Sequence, residues 1–277
     1  MGFFFGKVAF SQLTVGHFVL YRFLFACVAM LPIMQAPHFS AREWKLLAAA
    51  SCLGIPLQFM IQFHGLKLTT VSHAALVVGA MPVILAAGAS VFTHERLDGK
   101  GWWALFGSTV GVALIVISGS HAVIGGGNLW GDLLVFISLL IALAWVLVNR
   151  HLMALGRSPL SVTGWGLLIG TAILAIWVFL SNGPPPIQGI RFQVWLAVAA
   201  SGVLSTAAST LLWNWGMHRV PASRAGVFLN IEPALGSILG VTLLGDRLGP
   251  GAWAGGALII GAAAILTTTR VPQSERA

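Results

Sequence analysis

The sequence contains one segment twice. Residues 44–102 and 195–253 align without a gap at a constant offset of 151, and the identical residues include Gly, Pro and Trp, which shared hydrophobicity alone does not explain. The main identical pairs are Trp44/Trp195, Leu53/Leu204, Gly65/Gly216, Ser72/Ser223, Ala74/Ala225, Pro82/Pro233, Arg96/Arg247, Leu97/Leu248 and Trp102/Trp253. The duplication restricts the chain to folds that are built from two similar units.

The composition predicts that these units lie in a lipid bilayer. Only 8% of the residues are charged and 57% are hydrophobic, whereas a soluble domain has about 25% charged residues. Apolar runs close to the ~20 residues that a helix needs to cross a membrane recur along the chain. They predict nine spans at about 16–36, 46–66, 72–92, 101–119, 129–149, 160–181, 192–215, 222–244 and 252–269.

The net charge of +8 is explained by topology. Basic residues alternate from loop to loop, with ten on one side of the membrane and three on the other. The richer side holds Arg42, Lys45, Arg96, Lys100, Arg150, Arg157, Arg219, Arg224, Arg270 and Arg276, and the poorer side holds Lys67, Arg191 and Arg247. The positive-inside rule places the richer side and the carboxyl terminus in the cytoplasm. No nucleic-acid partner is needed to explain the charge.

The spans also predict how the two copies are oriented. If an incomplete first helix is counted, each copy has five spans, and an odd number inserts the copies in opposite directions. The predicted fold is an all-α polytopic membrane protein of two inverted five-helix repeats, 1–120 and 121–270, with a cytoplasmic tail at 271–277. The apolar run before Lys7 is too short for a span, so we expect about 10–20 further apolar residues upstream in the native gene.

Several motifs carry a family resemblance that covers nearly the whole chain. Gly65-Leu-Lys-Leu-Thr-Thr-Val-Ser-His-Ala-Ala, Pro82, Glu95-Arg96-Leu97 and the Gly-rich stretch from Gly107 resemble an EamA repeat of the drug/metabolite transporter superfamily. Gly216-Met-His-Arg-Val-Pro-Ala-Ser-Arg-Ala, Pro233 and Gly245-Asp246-Arg247-Leu248 resemble the second repeat. The resemblance implies ten helices and export of amino acids or other small metabolites across a bacterial inner membrane. The Trp-Gly motif of the first family helix is missing here.

Glu232 is the clearest candidate for a transport residue. An ionisable group at mid-membrane depth costs about 2.5–3.5 kcal/mol on insertion scales, so its presence requires a reason. The proline that follows, Pro233, frees a backbone carbonyl in the preceding turn. An open turn beside a carboxylate predicts a site for an amine or a proton. The alternative is a structural carboxylate that is capped by freed backbone or paired with Arg224.

A polar face on two repeat-equivalent helices predicts a substrate pathway. Gln58 and Gln62 lie one helical turn apart, and the offset maps them onto Ser209 and Trp213. Further candidates for hydrogen bonds and aromatic walls are Asn214, Asn230 and Trp145. The alternative role is hydrogen bonding between helices, which is common for Gln, Asn and Ser in membranes.

We expect the other polar and helix-breaking residues to have structural or conformational roles. Pro82 and Pro233 occupy equivalent positions inside predicted spans and are candidates for a pair of hinges, with static kinks as the alternative. We expect His64, His73, His94 and His218 to be interfacial or packing residues and Arg22 to reach the headgroups. The GxxxG spacings Gly107/Gly111, Gly166/Gly170, Gly236/Gly240 and Gly251/Gly255 predict close helix packing inside the chain, with a homodimer interface as the alternative.

Enzymatic sites are not indicated. His94-Glu-Arg-Leu-Asp98 lacks the second His of the H-E-x-x-H zinc motif, and the chain has no Gly-x-Ser-x-Gly elbow and no Walker motif. Cys27 and Cys52 lie in apolar spans, so we expect no metal cluster, and no cofactor is implied. An intramembrane enzyme or a membrane scaffold is the weakest alternative.

These observations predict a secondary transporter that moves a small molecule by alternating access and that uses a proton gradient or the substrate's own gradient. A nucleotide-sugar or lipid-linked-sugar carrier of the same superfamily is the alternative. Phosphorylated cargo requires Arg or Lys in the cavity, and the middle of the spans has almost none. The sequence therefore favours zwitterionic or weakly polar cargo.

Overall fold

The computed structural model describes residues 2–36, 38–92, 99–120, 128–219, 241–242, 245 and 249–268. These residues form helices joined by short loops, and none of the described residues is in a β-strand. The helices are α1 (Gly2–Ala9), α2 (Val15–Met30), α3 (Ala41–Cys52), α4 (Gln58–Leu68), α5 (Val71–Val78), α6 (Met81–Phe92), α7 (Gly99–Ser120), α8 (Leu129–Ala154), α9 (Pro159–Asn182), α10 (Phe192–Gly202), α11 (Ser209–Arg219) and α12 (Pro250–Thr268).

Among the described residues, five helical segments are long and apolar enough to cross a membrane. They are Val15–Ile33, Ala41–Leu68, Leu129–Ala154, Pro159–Asn182 and Phe192–Gly216. Five of the nine predicted spans are thereby confirmed, and α7 and α12 lie where two more were predicted. The predicted span 222–244 falls almost wholly outside the described residues. The chain is an all-α polytopic membrane protein.

The predicted span 72–92 is not one continuous helix. It consists of α5 and α6, which meet at a turn formed by Gly79 and Ala80. Pro82 is therefore the second residue of α6 and does not lie inside a helix as the sequence suggested. A proline in the first helical turn removes no helical hydrogen bond, because those N–H groups have no partner within the helix.

The two sequence copies have equivalent helix boundaries. The helices α3 and α4 are joined by a π-helical turn at Leu53–Leu57, and α10 and α11 are joined by one at Val203–Ala208. The first residues of α3, α4 and α7 correspond to those of α10, α11 and α12 at the offset of 151. The duplication read from the sequence therefore extends to the backbone, including two irregular turns that hydrophobicity could not have indicated.

The π turns have different causes in the two copies. Pro56 lies inside the first turn and has no N–H to donate to a preceding carbonyl, which disrupts the α-helical ladder. In the second turn the hydroxyl of Thr206 donates to the carbonyl of Ser201 at 3.0 Å, five residues back. π turns occur frequently at functional sites in helical proteins.

The chain folds into two compact units, and each contains parts of both copies. Unit 1 comprises 1–67 and 140–219, and unit 2 comprises 68–139 and 220–277. In unit 1, α2 packs against α9 and α10, and α3 packs against α9. In unit 2, α7 packs along α12, and both contact α5 and α6.

Glycines permit the closest helix approaches. A Cβ atom on Gly111 of α7 would come within 2.6 Å of the carbonyl oxygen of Gly255 on α12, and one on Gly256 would come within 2.7 Å of Leu76. The predicted use of glycine spacing for packing inside the chain is confirmed at the Gly111–Gly255 contact.

Candidate functional site

Gln58 and Gln62 both point into the interior of unit 1. They are 6% and 7% exposed, one turn apart on α4, directly after the first π turn. The side-chain oxygen of Gln58 is buried and accepts no hydrogen bond from any residue that the structure describes. Leaving a buried acceptor unpaired costs about 1–3 kcal/mol. Gln58 therefore offers an acceptor that a ligand donor could satisfy.

Helix α8 contributes an aromatic ring and a second acceptor to unit 1. The indole of Trp145 lies so close to Gly54, within the first π turn, that a Cβ atom there would overlap the ring. Asn149, one turn further along α8, is 4% exposed, and its side-chain oxygen also has no partner among the described residues. Trp145 and Asn149 share one helix face because they are four residues apart.

The repeat-equivalent residues on α11 are placed differently. Ser209 is exposed, and its hydroxyl donates to the carbonyl of Ser205 at 2.8 Å within its own helix. Trp213 is half-buried. Asn214 is 3% exposed and donates to the hydroxyl of Thr163 on α9 at 2.7 Å. In the second copy Ser209 and Asn214 thus form hydrogen bonds within unit 1, whereas in the first copy the side-chain oxygen of Gln58 is unpaired.

Arg22 does not reach the headgroups, so that expectation is wrong. It lies inside α2 at 4% exposure, and its Nε donates to Thr206 Oγ1 at 2.6 Å while Nη2 donates to the carbonyl of Ser205 at 3.1 Å. Its guanidinium carbon lies 4.9 Å from the ring centre of Phe59 and 5.2 Å from that of Phe63. Arg22 therefore joins α2 to the second π turn and to the aromatic face of α4.

Polar contacts mark the two ends of unit 1. At one end Arg157 Nε donates to Glu43 Oε1 at 2.8 Å, and Ser158 donates to the side chain of Gln35 at 2.6 Å. At the other end the side chain of Gln12 bonds to the backbone of Gly189 and Arg191. Residues 34–36, 38–40 and 155–158 thus lie at one end, and the loop 183–191 lies at the opposite end.

Three of the predicted site residues, Asn230, Glu232 and Pro233, lie outside the described residues, and their roles remain predictions. No group of three His, Cys, Asp or Glu residues that could hold a metal ion occurs within the described ranges.

Several features of this site were not predicted, although the sequence contains signals for them. Pro56 lies in the middle of a predicted span and marks the first π turn. Asn149 follows Trp145 by one helical turn. Arg22 is a cation inside a predicted span, and such a residue requires a buried partner.

Comparison with known proteins identifies the family. The model of the EamA-like transporter family matches residues 1–117 and 129–268. The chain belongs to the EamA-like transporter family. Each matched region contains one of the two sequence copies. The chain is a membrane transporter rather than an enzyme.

Individual relatives of the EamA-like chain have similar lengths. The uncharacterized transporter YyaM of Bacillus subtilis is 26% identical over 243 residues, which cover 83% of this chain and 78% of the relative. An uncharacterized transporter of Archaeoglobus fulgidus is 24% identical, over 88% of this chain and 85% of its own. One crystal structure matches with a TM-score of 0.69 at 20% identity, covering 95% of this chain and 90% of that one. At this identity, the match shows that the two chains share a fold.

Proposed function

We propose that this chain is a secondary transporter of the plasma membrane that exports small zwitterionic metabolites, such as amino acids, by alternating access between two inverted repeats. The observation that carries the proposal is the buried, unpaired side-chain oxygen of Gln58 beside the first π turn. Neutral oxygen acceptors fit a substrate ammonium, because an ammonium has three donors and no acceptor.

Helix α8 of unit 1 carries two further groups that suit an amine-bearing substrate. Asn149 offers a second unpaired carboxamide oxygen. Trp145 supplies an aromatic ring, and the face of an indole attracts a cation within about 6 Å. Glu232 remains a separate prediction for a site that binds an amine or a proton, because its carboxylate would be a stronger acceptor than a carboxamide.

The alternative cargo, a nucleotide sugar or lipid-linked sugar, receives less support. Phosphoryl groups are usually bound by Arg or Lys. The cation buried in the described part of unit 1 is Arg22, whose guanidinium is hydrogen-bonded to Thr206 and Ser205.

The orientation of unit 1 follows from its two ends. The end that contains Arg42, Lys45 and Arg157 carries more positive charge than the end that contains Arg191, so the positive-inside rule places the former in the cytoplasm. In a variant without Cys27 and Cys52, a cysteine at exposed His38 should be protected from an impermeant reagent in intact cells, and one at Gln188 should react. Reversed labelling would refute the orientation.

Counterflow in proteoliposomes tests the proposed cargo. Purified protein is reconstituted, the vesicles are loaded with a panel of unlabelled amino acids, and uptake of the matching labelled compound is measured, with a nucleotide sugar as the competing class. We expect exchange of at least one zwitterionic amino acid and its loss in Gln58→Leu. Exchange of the nucleotide sugar without any amino acid would reject the proposal.

A further inference from the structure

Unit 2 contains a buried ionisable pair that the proposed pathway does not use. Asp132 lies in the first turn of α8 at 0% exposure, and His73 lies in the first turn of α5 at 2% exposure. From the sequence, His73 was expected to be an interfacial or packing residue. The structure buries both and places them in contact.

The pair has a defined geometry. His73 Nδ1 lies 3.2 Å from Asp132 Oδ2, and the hydroxyl of Thr69 donates to Asp132 Oδ1 at 2.6 Å. Thr69 is itself 4% exposed. Both oxygens of the carboxylate therefore have a donor, and the imidazole is oriented by the same carboxylate.

Helix capping does not explain the pair. The side chain of Thr70 accepts the backbone N–H of His73 at 3.2 Å and caps α5. The side-chain oxygen of Asn128 accepts the N–H of Trp130 at 2.9 Å at the start of α8. Since other residues serve both helix starts, the cost of burying an aspartate and a histidine requires another reason, and in membrane proteins such groups mark proton pathways.

We propose that His73 and Asp132 form the site that takes up and releases the coupling proton. This inference rests on the proposed function of a secondary transporter. In the unloaded state neutral His73 donates Nδ1–H to the Asp132 carboxylate, and the pair has a charge of −1. A proton from water then binds at Nε2, and the resulting imidazolium–carboxylate pair is neutral. Loading thus lowers the cost of burial in an apolar surrounding.

The described helices of unit 2 carry few other ionisable residues. Helices α5, α6 and α12 contain no ionisable residue other than His73, and on α7 Lys100 is exposed at the start of the helix. The preceding helix α4 carries His64 and Lys67, which are also exposed. On α8 the other ionisable residues are Arg150 and His151, of which the nearer is 18 residues away from Asp132, about 27 Å at 1.5 Å per residue.

The depth of the pair indicates proton exchange at one membrane face. Helix α8 has 26 residues and is about 39 Å long, which exceeds the ~30 Å hydrocarbon core. Asp132 is the fourth residue, so a centred helix places it at the boundary of the core. The predicted topology makes this the external side, where protons enter when export is driven by the proton gradient.

Currents after a pH jump test the inference without any substrate. Proteoliposomes with the full chain are adsorbed to a solid-supported membrane, and the external pH is stepped. The wild type should give a transient charge displacement, and Asp132→Asn and His73→Gln should lose it. His64→Gln is the matched control, because His64 is exposed and bonded to the carbonyl of Met60 in its own helix. This control should keep the wild-type current.

A second measurement uses the wild-type protein and therefore does not depend on whether the variants fold. Nitrogen NMR of ¹⁵N-histidine protein in nanodiscs should show that His73 exists in both protonation states when samples at different pH are compared. Asp132→Asn, if folded by gel filtration, should shift that transition.

The contrary results are distinct from a failure of the proposed cargo. A His73 signal that stays in one protonation state, or a current that survives in Asp132→Asn and His73→Gln, would overturn the proton site. A current abolished only by Glu232→Gln would assign coupling to Glu232 instead. If the protein gives the pH-jump current but exchanges no amino acid, the proposed cargo is rejected and the proposed proton site is not.

Discussion

The two π turns of unit 1 lie at equivalent positions of the two copies, but their side chains and contacts differ. At the offset of 151, Gly54 in the first turn corresponds to Ser205 in the second, and Ile55 corresponds to Thr206. The first turn lacks a side chain at Gly54 and receives the indole of Trp145. The second turn presents a carbonyl and a hydroxyl that together bind the guanidinium of Arg22.

The difference shows how a duplicated fold can separate stability from function. Both copies keep the same helix boundaries, because the pattern of apolar residues is shared. In the second copy Ser205 and Thr206 bind the guanidinium of Arg22, which stabilises the unit. In the first copy Gln58 keeps an unpaired acceptor, which costs stability and leaves a group for a ligand.

The largest effect is expected from filling the first π turn. Gly54→Ala places a methyl group on the ring of Trp145, and overpacking costs about 1–3 kcal/mol. The melting temperature of the detergent-solubilised protein should fall clearly. Gly216→Ala is the matched control, because Gly216 lies in α11 with nothing within 4 Å of its Cβ position. Equal melting temperatures for the two variants would contradict the packing argument.

A comparable loss is expected from the second π turn. Thr206→Val keeps the shape of the side chain and removes both the acceptor of Arg22 Nε and the donor to Ser201. Hydrogen bonds to charged groups contribute about 1.5–3 kcal/mol, so thermal unfolding should occur at a lower temperature. Ser209→Ala removes a hydroxyl that bonds within its own helix and should change little. If Ser209→Ala is as damaging, Arg22 does not stabilise the turn.

The regular parts of the fold could be predicted from the sequence, because apolar length and periodicity determine a membrane helix. The offset of 151 also predicted which helices correspond. The break at Gly79 could not be predicted, since it lies in a continuous apolar run. The partners of Arg22 and Asp132 could not be predicted either, because contacts such as Arg22–Thr206 join residues 184 positions apart, and no local pattern records which helices pack together.

The smallest effect is expected at the predicted cytoplasmic end of unit 1. Glu43→Gln removes the charge that pairs with Arg157 and keeps an oxygen that can accept from the backbone N–H of Ser40. Arg157 is 30% exposed, so salt should screen the pair. We expect a small fall in melting temperature at low salt that disappears at high salt. If the melting temperature of Glu43→Gln is lowered by the same amount at high salt, loss of the ion pair is not the cause.

The most direct test measures transport and stability together in Gln58→Leu and Thr206→Val. The account predicts that Gln58→Leu loses exchange in proteoliposomes while its melting temperature stays the same or rises, because an unpaired buried acceptor is removed. Thr206→Val should melt earlier yet exchange at the wild-type rate below its melting range. The reverse result, a destabilised Gln58→Leu that still transports and a stable Thr206→Val that does not, would contradict the assignment of the site to the first copy.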